Sequence, residues 1–172
     1  MKIKLIIVLA LAVLLLGCTT TKDDSSILSD FNKLKTEYAV SNGYNTDPGQ
    51  MAAYINDLSL LRAEGSFSSA RLLDAEIESS KGFYYLIKAN DYFYEINYET
   101  FGCNSSKVKS SREYLEAKSF AKLSYSHLQA AVDLVASLSA GELANLRKQQ
   151  LEIVKEYSSF AQELVSYLEN DC

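Results

Sequence analysis

The sequence predicts an all-α protein, an antiparallel helical bundle with three long helices and two short N-terminal ones. Three observations carry that expectation. The 172 residues hold one proline and seven glycines, few enough for long unbroken helices. Apolar residues recur at steps of three and four, with no sustained strand-like alternation. Two of these stripes persist over roughly four heptads, as in helices packed side by side in a coiled coil.

The first short helix is expected over Ser26–Val40. Ile27, Phe31, Leu34 and Tyr38 share one face there, and Asn42-Gly43 offers a left-handed stop. The second begins at Asp47-Pro48, an N-capping acid followed by proline at the first helical position. It turns Met51, Tyr54, Ile55, Leu58 and Leu61 inward and ends near Gly65. Gly65-Ser66-Phe67 with Ala70 and Leu73 looks faintly like the turn of a tetratricopeptide unit, but a solenoid needs about three such units.

Three long helices follow, over about Ser68–Phe101, Ser105–Leu138 and Ala140–Asn170. The middle one carries the seam Tyr114, Ala117, Ala121, Ser124, Leu128, Ala131, Val135 and Leu138. The last carries Leu143, Leu146, Gln150, Ile153, Tyr157, Phe160, Leu164 and Tyr167, which sets larger side chains opposite the small ones of its neighbour. Ser139-Ala140-Gly141-Glu142 makes the tight turn between them.

Ahead of the helices, Met1-Lys2-Ile3-Lys4 is a short basic start, and Leu5 to Leu16 is an apolar run of twelve closed by Leu15-Leu16-Gly17-Cys18. A run of that length falls short of the ~20 helical residues that cross a bilayer. With a basic start and a small residue at its end, it has the form of a cleaved export signal. The closing residues resemble the lipobox of prokaryotic lipoproteins, where a small residue precedes the cysteine that becomes the new N-terminus. The resemblance covers only the leader. It implies diacylglyceryl attachment at Cys18, loss of residues 1–17, a polar tether over 18–26 and a folded domain over 27–172. A plain signal with an incidental cysteine, or an uncleaved anchor helix, are the alternatives. The expected location is the cell envelope, membrane-anchored and facing its extracytoplasmic side.

Removing residues 1–17 takes Lys2 and Lys4 with it and leaves 15 basic against 22 acidic side chains, a formal charge of −7. An acidic domain without a basic block argues against a nucleic-acid partner, whose phosphates need clustered Lys and Arg. It argues equally against electrostatic attachment to anionic lipid, so the covalent lipid would supply the hold on the membrane. The two remaining cysteines, Cys103 and Cys172, form an even pair in an oxidising compartment. Three helices of alternating direction would bring them to one end, so a disulfide is expected.

The densest chemistry lies on the third helix, where Phe83, Tyr84, Tyr85, Tyr92, Phe93, Tyr94, Tyr98 and Phe101 fall within nineteen residues. Phe83, Leu86, Phe93 and Ile96 are assigned to the core with Tyr84 and Ile87 beside them. That leaves Tyr85, Tyr92 and Tyr98 to form a partner or glycan surface, or to be covered by the two short helices. Asp91, Glu95 and Glu99 form a carboxylate row with the spacing of a solvated helix face. His127 is the one histidine and reads as a surface residue. No metal-ligand or catalytic signature is found, and no cofactor is expected. Asn104-Ser105-Ser106 is a sequon, a possible glycosylation site only in a lineage that glycosylates exported proteins. The expected function is a non-catalytic binding or scaffold module with an envelope protein or glycan as partner. The alternatives are a small-ligand carrier with an aromatic pocket between the short helices and the third helix and, more distantly, an envelope hydrolase.

Overall fold

The computed structural model describes residues 22–40, 47–65, 67–100, 106–138 and 144–171, and the chain is all-α over them. Cys18, Cys103, Asn104 and Cys172 lie outside the described residues, as do Asn42-Gly43 and the turn at 139–143. No helix of the described residues is long and apolar enough to cross a membrane.

Helix α1 (Asp24–Glu37) starts because the Asp23 carboxylate accepts from the Ser26 backbone N–H at 2.8 Å. Ile27 and Phe31 are buried along it, as their spacing requires. It ends earlier than Asn42-Gly43 would place the stop. The Val40 N–H donates to the Lys35 carbonyl at 2.9 Å and the Ala39 N–H to the Thr36 carbonyl at 3.2 Å. That is a Schellman cap with Ala39 at the left-handed position, φ 54°. Burying Val40 holds the alanine in a conformation that costs an L-residue roughly 1–2 kcal/mol.

Helix α2 (Pro48–Glu64) begins as the sequence indicates, with the Asp47 carboxylate accepting from the N–H groups of Gly49 and Gln50. Met51, Tyr54, Leu58 and Leu61 are buried along one side. Helix α3 (Phe67–Thr100) is 34 residues, about 51 Å long. Its first half has little solvent face: Leu72, Leu73, Ala75, Glu76, Ile77, Ser79, Ser80 and Phe83 are all buried. A helix enclosed all round is the axis of its fold, and α3 contacts both helices before it and the two long ones that follow.

The fourth expected helix is divided. A single turn, α4 (Ser106–Lys109), is followed by α5 (Arg112–Ser137). The break falls where Ser111 turns extended and its hydroxyl accepts from the Tyr114 N–H at 3.2 Å. An N-cap serine bonds the first turn better than it continues the preceding one. Every position of the α5 seam, from Tyr114 to Leu138, is buried as expected. Gly82 of α3 meets that seam so closely that a Cβ there would fall 2.5 Å from the Leu128 Cγ and 3.1 Å from its backbone nitrogen.

Helix α6 (Ala144–Ser166), extended by a π-helical turn over Tyr167–Asp171, corrects the expected seam. Gln150 and Leu164 are buried, but Ile153, Phe160 and Tyr167 are 40, 48 and 38 % exposed. Val154, Ser158, Ala161 and Leu168 take the inner positions instead. Two stripes overlap on this helix, one residue apart. The narrower one lets α6 approach the alanine-rich α5, where the Gln129 amide donates to the Ser158 hydroxyl at 2.7 Å. The broader one sends its rings toward α3, Tyr157 edge-on to Phe83 and Tyr167 edge-on to Phe93.

Inside, Glu76 is 2 % exposed and joins three helices. The Tyr54 hydroxyl of α2 donates to it at 3.0 Å and the Gln150 amide of α6 at 2.5 Å. The Gln150 carbonyl oxygen and the Ser80 and Ser124 hydroxyls are buried without a hydrogen-bond partner.

Candidate functional site

Three stripes converge on one side of α3. Helix α2 presents Ala52, Ile55, Ser59 and Arg62; α3 presents Asp74, Glu78, Lys81 and Tyr85; α5 presents His127, Ala130 and Leu134. Each set runs in steps of three and four, so each lies on a single face. Between them run two clefts, of about 690 and about 410 Å³, that share Lys81. Both fall within the range of ordinary small-molecule sites, ~300–1,000 Å³, and both are open to solvent.

The polar groups in the clefts are mostly paired with one another. Arg62 holds Asp74 with two bonds, Nε to Oδ1 at 2.8 Å and Nη2 to Oδ2 at 3.2 Å, an arrangement that raises the guanidinium pKa further. Glu78 takes His127 Nδ1 at 2.6 Å on one oxygen and Lys81 Nζ at 2.9 Å on the other. Partial burial pushes the Glu78 carboxyl up, but the hydrogen bonds and charges of His127 and Lys81 outweigh it, and its pKa lies below the ordinary value. An ionised carboxylate only accepts, so His127 Nδ1 carries a proton toward Glu78. Asp133 lies at the exposed rim. The Ser59 hydroxyl donates to the Ile55 carbonyl at 2.7 Å, and no hydrogen bond joins it to His127.

His127 is therefore more than a surface histidine. Its ring is a quarter exposed and stacks on Tyr85 at 5.4 Å and 12°. Tyr85 stacks in turn on Phe120 at 5.9 Å, and Phe120 on Tyr92 at 5.8 Å. The four rings alternate between α5 and α3 in one ladder. Tyr85 and Tyr92, expected as a partner surface or as covered by the short helices, are half-buried and stack on Phe120 of α5. Tyr98 lies on α3, but its side chain is outside the described ones. Among the described rings of this helix Tyr94 is the most open to water, 67 % exposed. Asp91 and Glu95 are exposed, as a solvated row would be.

Tyr84 stands beside the ladder, edge-on to Tyr85 at 5.3 Å with Lys88 Nζ 5.9 Å from its centroid. It forms the aromatic wall of the smaller cleft opposite Ala52 and Ile55. A separate furrow of about 320 Å³ lies between α3 and α6, walled chiefly by Phe83, Leu86, Ile87, Tyr157 and Phe160. Among the described residues no three His, Cys, Asp or Glu side chains are placed to hold a metal.

The ladder has a sequence signal: Tyr85 and Tyr92 are seven apart, and so are Phe120 and His127. The Glu78–His127 pair has none, because it joins helices 49 residues apart. Comparison with protein-family models, with curated proteins and with solved structures gives no match.

Proposed function

We propose that this chain is a lipid-anchored, extracytoplasmic binding or scaffold module of the cell envelope, non-catalytic and held to its membrane through lipid on Cys18. Its architecture would be an antiparallel bundle of three long helices with two short N-terminal ones. The leader Met1–Cys18 supports the anchor. The order of contacts supports the architecture: Glu78 meets His127 where Tyr92 meets Phe120, and Tyr114 donates to the Leu168 carbonyl at 2.6 Å. The observation that carries the binding role is the open cleft between α2 and α5, where convergent polar groups stand beside one apolar wall.

A Cys103–Cys172 bridge belongs to the same reading. It is supported by two contacts of the last described turn, Phe93 with Tyr167 and the Tyr114 hydroxyl with the Leu168 carbonyl, made by residues ten before and eleven after Cys103 in sequence. Closing a loop of about 70 residues would stabilise the fold by roughly 2–4 kcal/mol. Thiol titration of the unfolded, lipidated protein should find no free cysteine; two free thiols would defeat the bridge.

Two experiments test the module itself. Metabolic labelling with a palmitate analogue should mark the wild type and miss Cys18→Ala, and equal label in both contradicts the anchor. A photo-crosslinking residue at Ser59, in the cleft, should capture adducts in intact cells that the same residue at exposed Leu115 does not. Equal capture from both sites contradicts the cleft as the binding face. A small-ligand carrier is the second reading, favoured by the limb where Ala52 and Ile55 face Tyr84 and Tyr85. It requires a stoichiometric small molecule in native mass spectra of the purified protein.

A further inference from the structure

We propose that the ligand of the α2–α5 cleft is a neutral, hydroxyl-rich oligosaccharide lying along Tyr84, Lys81 and Arg62. The inference rests on the cleft being the binding face and names what it would bind. The first support is electrostatic. Arg62 is bound to Asp74 and Glu78 to both Lys81 and His127, so the charges of the cleft already balance one another. With Asp133 at the rim the cleft is not net positive, and the whole chain is acidic, so a polyanion is disfavoured.

The second support is the alternation of hydrogen-bonding roles. Lys81 has two N–H groups beyond the one given to Glu78, while the Asp133 carboxylate at the rim accepts. A hydroxyl donates and accepts at one atom and satisfies such a mixture without a change of charge state.

The third support is the wall opposite. Both faces of Tyr85 are occupied, by His127 and by Phe120 in the ladder, so it offers only its edge. Tyr84 is T-shaped to Tyr85, has Lys88 Nζ 5.9 Å from its ring centroid, and lines the cleft beside Ala52 and Ile55. Sugar rings carry their C–H bonds on one face and hydroxyls at the rim, matching an aromatic wall beside a polar floor. From Asp74 to Tyr85 the floor runs eleven residues, about 16 Å, long enough for several linked rings rather than one.

The test titrates the purified lipidated protein, in a non-glycosidic detergent, with chitotriose, cellotriose and maltotriose as neutral probes. A hyaluronan tetrasaccharide serves as the acidic probe. His127 is the chain's one histidine, so its ring resonances report the cleft without ambiguity. At least one neutral probe should shift them saturably, and the acidic probe should not. Tyr84→Ala should weaken that binding roughly tenfold while Tyr84→Phe leaves it nearly unchanged. Ala52→Arg, on an exposed site that cannot disturb the core, should block the limb and weaken binding as well. No response to any neutral probe, a stronger response to the acidic one, or wild-type binding by both Tyr84→Ala and Ala52→Arg overturns the assignment. A protein adduct from the Ser59 crosslinker with no glycan response overturns the oligosaccharide and keeps the binding face; absence of both removes the two together.

Discussion

Glu76 and Glu78 lie two residues apart on α3, about 200° around the helix, and live in opposite worlds. Glu76 is sealed between α2, α3 and α6 and is bonded by a tyrosine hydroxyl and a glutamine amide, both neutral. Glu78 faces the cleft and is bonded by a lysine and a histidine. The same side chain thus serves two ends. Inside, it ties three helices together through two buried hydrogen bonds. Outside, it fixes the tautomer of a histidine that lines an open cleft. Removing the first should damage the fold, and removing the second should damage the site.

The largest expected effect separates them directly. Glu76→Ala removes the buried acceptor of the Tyr54 hydroxyl and the Gln150 amide and leaves a cavity, and should cost about 3 kcal/mol in urea unfolding. A loss under about 1 kcal/mol would mean that water reaches this cluster after all. Gly82→Ala comes next, because it forces α5 away from α3 on the Glu78 side alone. Overpacking against the Leu128 backbone should outweigh the better helix propensity of alanine, for a net loss of about 1–3 kcal/mol. Chemical shifts near His127 should move in this variant while those near Gln150 stay.

A control lies away from both carboxylates. Ala39→Gly should stabilise the protein by about 1 kcal/mol, since glycine takes the left-handed cap without strain. The smallest effect should come from Glu78→Gln, under about 1 kcal/mol near neutral pH, because its partners are partly exposed. Its pH dependence carries the information. The folded Glu78 carboxyl lies below its unfolded value, so its stabilisation is complete above the ordinary carboxylate range and is lost as pH falls through the folded value. The gap between wild type and Glu78→Gln should therefore close in acid; a gap that widens there contradicts the pairing.

The all-helical class was legible because one physical signal, the step of three and four, dominates nearly every segment. The α5 seam could be read residue by residue, because its steps of three and four run unbroken from Tyr114 to Leu138. The α6 seam could not. Ile153, Tyr157, Phe160 and Tyr167 outweigh Val154, Ser158 and Ala161 in apolar area, yet close packing against alanines selects the smaller set. The division at Ser110-Ser111 has a local signal in the capping preference of serine, which the long apolar period obscures. The cleft was half legible. Its three stripes are each visible, but which faces meet depends on helix packing. Glu76 looks like any surface acid until α2 and α6 close over it.

The most direct measurement is the tautomer of His127, read from long-range nitrogen–proton correlations of the only imidazole in the chain. With Glu78 ionised and His127 neutral, the proton should sit on Nδ1 with a slowly exchanging resonance, and Glu78→Gln should abolish that protection. A proton on Nε2, or one exchanging as fast as in free imidazole and indifferent to Glu78→Gln, would contradict the account.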